Sequence, residues 1–441
     1  MQSNEKEVRP SASFVEHLTK MQIFKFGGAS VKDAEGVRNV ARIIENYGQS
    51  NVLVVISAMG KSTNALENII QASFYNDPSL AQHVADFKQY HDAILSDLFP
   101  AEHLFGRIDV QNLYLELECA IDNANLKHDF DFYYDQIIAF GELISTRIVS
   151  AFLLFSGLRN QWVDSRNFIL TDDRYRDAKV MWEQTSTVIL NRLKPLAEKN
   201  LVIAQGFIGK GPNGENTTLG REGSDYSAAI FARILDAESV SIWKDVPGVM
   251  NADPKKFNNP VLLKELSYSD AIELAYYGAS VIHPKTIQPL QAAGIPLYVR
   301  SFSHPEMEGT RVARESNGLT QPCLIHKSNQ ALLQFSTRNL TFIAETQLMQ
   351  LFTLFNALKI RLNLMQNSAT HFTCVIDYQE SRLSGLQEQL ETLEMELNIQ
   401  PGLEMISVYQ PEPGIESQLP NASTWVMKQQ TDRSTHYVIK P

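Results

Sequence analysis

The sequence predicts an α/β fold with a largely parallel sheet, followed by a smaller two-layer βαββαβ unit of the ferredoxin-like class. Three observations carry this expectation. From Met21 onward, short β-rich runs alternate with apolar residues at helical spacing. Several runs end in glycine-bearing turns, as strand-to-helix junctions do. After a polar, Pro- and Gly-containing stretch, Ser303–Pro322, the order changes to strand, helix, two strands, helix, strand.

Met21–Phe26 is the first strand, ending in Gly27-Gly28-Ala29-Ser30, after which Val37, Val40, Ala41 and Ile44 mark a helix. Asn51–Ile56 is the second strand and breaks at Ser57-Ala58-Met59-Gly60 before another helical stretch. Residues 75–155 hold no clear strand and read as a helical layer, with Leu113, Leu117, Ala120 and Ile121, then Ile137, Ile138, Gly141 and Ile144, as apolar faces. Strand signals return at Gln161–Asp164, Leu201–Gln205, Ser239–Trp243 and Pro296–Ser301. Helical runs lie near Ser224–Leu235, Ser269–Tyr277 and Lys285–Ala293.

In the second part, Gln330–Ser336, Ile360–Leu364, Phe372–Asp377 and Leu403–Tyr409 read as strands. Leu348, Leu351, Phe355 and Leu358 form one helical stripe, and Leu386, Leu390, Leu393 and Leu397 a second. Thr424–Lys428 with His436–Ile439 offers a hairpin. The expected division is a flexible N-terminal extension over 1–20, a first domain over 21–305, a linker over 306–322 and a second domain over 323–441.

Composition narrows the function classes. The net charge of −11 argues against general affinity for nucleic acid or anionic membrane, both of which need clustered positive potential. The 3 cysteines, Cys119, Cys323 and Cys374, form no C-x-x-C pair, so neither a disulfide framework nor a zinc site is suggested, and a reducing, cytoplasmic setting is expected. No signal-peptide core is visible in residues 1–20, and no run approaches the roughly 18 apolar residues of a membrane span.

Five constellations carry chemistry. Lys25-Phe26-Gly27-Gly28 at a strand-to-helix junction pairs a cation with glycines that let backbone approach an oxyanion, before a helix N-terminus. Alone, it fits a plain turn equally well. Gly60-Lys61-Ser62 resembles the end of a Walker loop, but Val55 stands where that loop needs glycine, which disfavours a P-loop NTPase. Glu142, in Phe140-Gly141-Glu142, gains meaning only from its neighbours. The strongest constellation joins Gly206-Phe207-Ile208-Gly209 to Thr217-Thr218-Leu219-Gly220-Arg221-Glu222-Gly223-Ser224-Asp225. There a guanidinium able to fork onto a carboxylate and a carboxylate able to pair a cation meet at a helix start, which suits a small zwitterion. The fifth, Trp243 to Lys255, ends a strand in Pro247-Gly248 and Asp253-Pro254, the kind of loop that lines a nucleotide at the C-terminal edge of an open sheet.

In this order the motifs resemble aspartate kinase, a member of the amino-acid kinase family, from about Ile23 to Val312, including Tyr277-Gly278-Ala279 and His283-Pro284. The resemblance implies a three-layer α/β/α kinase domain, ATP with Mg²⁺ as donor, and L-aspartate as acceptor. The product would be 4-phospho-L-aspartate, the first step towards lysine, threonine and methionine. By position, Lys25, Gly27 and Gly28 would hold the phosphates, Ser57 and Thr63 would lie beside the acceptor, and Arg221 would bind the α-carboxylate. Glu142, Asp225 and Ser224 would fix the amino end and the lysine network, and Lys244, Asp245, Met250 and Lys255 would contact the nucleotide.

The chain departs from the family pattern at Glu222, where a glycine is usual, at Val261, where a lysine is frequent, and at Met250, where a tyrosine is frequent. The βαββαβ unit resembles the ACT modules with which aspartate kinases sense amino acids and dimerise, so a homodimer or higher homo-oligomer is implied. One complete module and at most a remnant of another are expected. Leu362-Asn363-Leu364-Met365-Gln366-Asn367-Ser368-Ala369 replaces the family's effector signature, which leaves a working sensor and a dimerisation unit both open. Rival readings are a glutamate, acetylglutamate or uridylate kinase, and an amino-acid sensor without turnover. A homoserine dehydrogenase fusion is not expected, since no G-x-G-x-x-G follows a strand.

Overall fold

The structure, a computed structural model, describes residues 20–441 apart from 49–50, 102–103, 105, 124–125, 280–281, 317, 320, 338–341 and 391–394. Apart from Lys20, the expected N-terminal extension lies outside the described residues, as does Leu393. The chain divides into two compact units, Met1–Val240 and Ser241–Pro441.

The first unit is built on a parallel sheet. Its strands β1 (Gln22–Phe26), β2 (Val52–Ile56), β3 (Asn160–Trp162) and β4 (Leu201–Gln205) lie in the order β3-β4-β2-β1, with Lys25 opposite Val55 and Val54 opposite Ile203. Every residue of the Val-Leu-Val-Val-Ile run of β2 is buried. A β-branched run without alternation is what a strand covered on both faces requires.

Between β1 and β2 runs α1 (Ala34–Tyr47), whose start is fixed by Asp33, the side chain of which accepts the Gly36 N–H at 2.8 Å. Its apolar residues Val37, Val40, Ala41 and Ile44 are all buried, as their spacing predicted. The helical layer follows as α2 (Ser62–Phe74), α3 (Leu80–Leu98), α4 (Arg107–Asp122), α5 (Phe130–Ile138) and α6 (Phe140–Phe155). Phe130–Phe155 is, contrary to the sequence expectation, long and apolar enough to cross a membrane, but 89% of the stretch tested is buried inside the protein, as in the core helix of a globular fold.

After β3, α7 (Trp182–Val188) runs through a π-turn at Ile189–Leu193 into α8 (Lys194–Ala197). Beyond β4, a short hairpin of β5 (Ile208–Lys210) and β6 (Asn216–Thr218) leads to α9 (Gly223–Leu235), which packs on β1 and β2 while α6 packs on β2 and β4. Because β1, β2 and β4 are parallel, the loops at 27–30, 57–62 and 206–207 all leave the same, C-terminal, edge of the sheet. That edge is where open α/β sheets place their ligands.

Strand β7 (Ser239–Lys244) leads into the second unit, which continues with β8 (Glu265–Ser267), α10 (Tyr268–Tyr277), α11 (Pro284–Ala293), β9 (Leu297–Ser301) and β10 (Thr310–Ala313). Strand β10 runs antiparallel to β9 and parallel to β8. Part of the segment expected as a linker is therefore a sheet strand. Its Thr-Arg-Val-Ala run is short, and the polar residues before it masked the signal.

The βαββαβ order then appears as β11 (Cys323–Thr337), α12 (Glu345–Ala357), β12 (Leu362–Asn367), β13 (His371–Asp377), α13 (Glu380–Leu390) and β14 (Met395–Tyr409). Leu397, assigned to a helical stripe by its spacing, sits instead in β14 opposite Phe335. Leucines three and four apart fit a helix, but spacing carries no stop signal, and pairing with β11 decides the boundary. The predicted hairpin exists as β15 (Trp425–Gln430) and β16 (Ser434–Ile439).

These strands form one antiparallel sheet in the order β12-β13-β11-β14-β16-β15. Strands β11 and β14 each run 15 residues, twice what the βαββαβ unit uses, and their pairing shifts register between Lys327 and Gln330. On one side of that shift β13 borders β11; on the other, β16 borders β14 from Glu404 to Tyr409. Beyond the βαββαβ unit, the sheet thus consists of two strand extensions and a hairpin.

Candidate active site

Lys25 is the fourth residue of β1, and its side chain is nearly removed from solvent. The turn that follows is stitched to the loop after β2. Ser57 N–H donates to Phe26 O at 3.1 Å, and Gly60 N–H donates to Gly28 O at 2.9 Å. A Cβ on Gly28 would stand 2.6 Å from Ala58 O, so only glycine permits this approach. The helix expected directly after the glycines is a single 3-10 turn, Gly28–Val31, and the N-terminus of α1 is already answered by the Asp33 carboxylate. The cradle therefore draws its character from Lys25 and paired loops, with little from the α1 dipole.

The strongest sequence motif forms the opposite side. Glu222 is the N-cap of α9 and adopts a left-handed backbone, φ +55°, so the helix opens at Gly223 and Ser224 lies within its first turn. This is the angle a glycine would take without strain, and the departure at Glu222 leaves the local backbone path intact. A Cβ on Gly206 would stand 2.4 Å from Ser224 Cβ, which is how α9 comes so close to the end of β4. Asp225, wholly buried in α9, meets Lys25 Nζ at 2.5 Å.

Glu142 projects from α6 and is 3% exposed. Its Oε1 accepts the Ala58 N–H at 3.2 Å, while Oε2 is buried without a hydrogen-bond partner. Burial pushes its carboxyl up to about 8, against the pull of the Ala58 N–H and the Lys25 charge. The same helix holds the second loop, since Ser145 Oγ donates to Ser57 O at 2.7 Å.

Lys25, Ser57, Thr63, Glu142, Arg221 and Ser224 together line one cavity of about 430 Å³ in the first unit. Four distant stretches of sequence thus converge on one cleft. Tyr134, Arg176 and Thr218 line it as well. Thr218 belonged to a quoted motif without a role, whereas Tyr134 and Arg176 went unnoticed. Arg176 sits in a segment with no regular element, and no sequence signal would have found it.

Of the four residues expected at the nucleotide, Lys244 ends β7 and Asp245, Met250 and Lys255 lie on the segment after it, all in the second unit. Lys244 O accepts the Phe302 N–H at 2.7 Å, Met250 bridges to Leu262, and Asp245 and Lys255 are exposed. A larger hollow in that unit, about 630 Å³ between residues 251–260 and 412–418, is lined mostly by amides and prolines, with Glu412 its only ionisable residue among those described. Size favours that hollow, but chemistry favours the cleft, where a cation, an orphaned carboxylate oxygen and a second guanidinium converge.

Residues 20–301 match the model of the amino acid kinase family. Lysine-sensitive aspartokinase 3 of Escherichia coli (strain K12) is 30% identical over 403 residues, which cover 89% of this chain and 87% of that protein. The crystal structure of E. coli aspartokinase III with aspartate and ADP is similar at TM-score 0.79 and 26% identity, with 96% of each chain covered. A bifunctional aspartokinase/homoserine dehydrogenase 2 of Arabidopsis thaliana is 34% identical over 297 residues. That match covers 66% of this chain and 32% of the relative, so the chain spans about a third of the length of such bifunctional relatives. With the family model covering well over half of the sequence, and the cleft carrying its motifs, the chain belongs to the amino acid kinase family, in its aspartokinase branch.

Proposed function

We propose that the chain is an aspartate kinase that transfers the γ-phosphate of ATP to the side-chain carboxylate of L-aspartate, giving 4-phospho-L-aspartate and ADP. The observation that carries this reading is the cleft itself, in which Lys25 shares a wall with Arg221 and Glu142. The E. coli relatives named as aspartokinases, one of them holding aspartate and ADP, support it.

The geometry allots the work without a general base. A carboxylate acceptor is ionised at neutral pH, its reference pKa being near 3.9, so what it needs is alignment and removal of repulsion from the γ-phosphate. Arg221 would fork onto the α-carboxylate, and the unpartnered Glu142 Oε2 would accept the ammonium group. With both ends held, the distance from the backbone end to the side-chain oxygen is set. Ser57, Thr63 and Ser224 would flank that carboxylate. One of its oxygens attacks the γ-phosphorus, the bond to the bridging oxygen breaks, and ADP leaves.

Lys25 would neutralise charge on the transferring group. Its ammonium has three donors, one of which Asp225 occupies, so the remaining two are aimed by a fixed partner. Gly27 and Gly28 would let backbone approach the phosphates, with Lys244, Asp245, Met250 and Lys255 reading the rest of the nucleotide. Among the described residues no group of three His, Cys, Asp or Glu is placed to hold a metal. Mg²⁺ would enter with the nucleotide, held mainly through the phosphates, and would supply neutralisation of their charge.

We place the protein in the cytoplasm, in keeping with three free cysteines, and expect a homodimer or higher homo-oligomer through the ACT-like region. Met349 and Phe352 on α12 and Met365 on β12, all exposed apolar side chains, support self-association there. The test of the central reading is a hydroxylamine-trapping assay with ATP and a panel of acidic amino acids. An acyl hydroxamate from aspartate is expected; faster turnover of glutamate would overturn the substrate assignment.

A further inference from the structure

Asp135 on α5 is a fully buried carboxyl to which the reaction as drawn gives no part. Its two oxygens take three donors from two separate segments. Oδ2 accepts the backbone N–H of Arg176 at 3.0 Å and of Thr218 at 2.9 Å, and Oδ1 accepts Thr218 Oγ1 at 2.8 Å. Both segments line the cleft.

Arg176 holds a left-handed backbone, φ +67°, which residues with side chains seldom adopt outside sites that over-determine it. The N–H bonded to Asp135 belongs to that strained residue. Its guanidinium lies 4.2 Å over the Tyr134 ring and pairs with Asp131 at 3.1 Å, so α5 holds Arg176 by both backbone and side chain. Thr218, meanwhile, stands three residues before Arg221. The two segments also press on each other: Ala178 N–H donates to Thr218 O at 2.8 Å, and a Cβ on Gly220 would stand 2.5 Å from Asp177 Oδ1.

We propose that Asp135 is a positioning residue of the acceptor pocket, a single carboxylate that ties the Arg176 turn and the Thr218–Arg221 segment to α5 and so sets where Arg221 meets its ligand. The proposal rests on the aspartate-kinase reading only for the identity of that ligand. Asp135 touches neither substrate. It acts on acceptor binding through the path of the Arg221 loop, and on the phosphate cradle at Lys25 not at all.

Asp135→Ala removes both accepting oxygens and leaves the backbone N–H groups of Arg176 and Thr218 without their acceptor, whereas asparagine could still accept both through its amide oxygen and donate to the Thr218 hydroxyl. The expected result is a KM for L-aspartate raised tenfold or more, with KM for ATP and kcat at saturating aspartate within threefold of wild type. Thr218→Val removes only the hydroxyl bond and should raise the aspartate KM by about threefold; it carries the test if Asp135→Ala fails to fold. An unchanged aspartate KM would overturn the proposal. So would a parallel fall in kcat and in affinity for both substrates, which is the pattern of a merely structural group. A wild-type enzyme that phosphorylates a different acceptor would remove the aspartate reading, while the same KM ratio measured with that acceptor would still decide Asp135.

Discussion

Lys25 Nζ and Asp225 Oδ1 lie 2.5 Å apart with side-chain exposures of 6% and 0%, joining the end of β1 to the first turn of α9. A buried pair of this kind is costly to form and more costly to break, because removing one partner strands the other charge in a poorly solvating interior. Lys25→Ala should therefore lower stability by about 3 to 5 kcal/mol and abolish phosphoryl transfer, while affecting aspartate binding less. Thermal melting and calorimetric titration with aspartate separate the two effects, and wild-type turnover in the variant would remove Lys25 from the site.

Arg221→Ala should act on the other substrate. Loss of a charge-assisted, forked contact with a carboxylate is worth about 1.5 to 3 kcal/mol, or roughly ten- to 150-fold in KM for aspartate. The KM for ATP should stay near the wild-type value. Steady-state kinetics with each substrate varied in turn checks this, and an aspartate KM that does not move would contradict the assignment.

The Glu142 carboxyl, pushed up to about 8 by burial, makes aspartate binding depend on pH. The ammonium group pairs with the ionised form, so below about pH 8 binding must expel a proton, and the aspartate KM should rise as pH falls from 8 towards 6. The sign for stability is the reverse of an ordinary salt-bridged acid. With the folded pKa above the unfolded reference of 4.5, this group's contribution declines as pH climbs from about 4.5 to about 8 and is flat beyond. Asp135, raised to about 7 by its burial, adds a second inflection in the same direction. Glu142→Gln should abolish the upper inflection and leave the lower one, read from resistance to urea against pH.

Glu222→Gly should stabilise the protein. The residue holds φ +55° at the start of α9, where a side chain costs on the order of 1 kcal/mol and glycine does not. Removing a negative charge from the cleft should at the same time tighten aspartate binding. Urea denaturation measures the first effect, and a midpoint equal to or below wild type would mean that Glu222 contributes more through its contacts than it loses in strain.

Much of the fold was legible because the alternation of strand and helix leaves period-2 and period-3.6 signatures with glycine at the joints. Leu201–Gln205 was placed to the residue, and the βαββαβ order emerged complete. What escaped was set by pairing across long distances. The outer halves of β11 and β14 and the short β10 have weak local signals and exist because a neighbouring strand completes their hydrogen bonds. The site divided in the same way. Lys25, Arg221 and Asp225 stand in glycine-rich motifs whose composition is costly without a ligand, and they were readable. Arg176 and Asp135 were not, since an arginine in an irregular stretch and an aspartate amid aromatic residues look like surface charge until folding buries one and strains the other.

The extended length of β14 has a consequence for how the polypeptide tolerates shortening. From Glu404 to Tyr409 the edge of β14 away from β11 is sealed by β16, which the hairpin turn in turn sets beside β15. A stop codon placed after Tyr409 would spare every α-helix described and the whole βαββαβ order, yet uncover a row of open amide and carbonyl groups beside Ile406 and Val408, both otherwise hidden. Such a product would be sticky rather than unfolded, and precipitation on expression is the behaviour its exposed margin dictates.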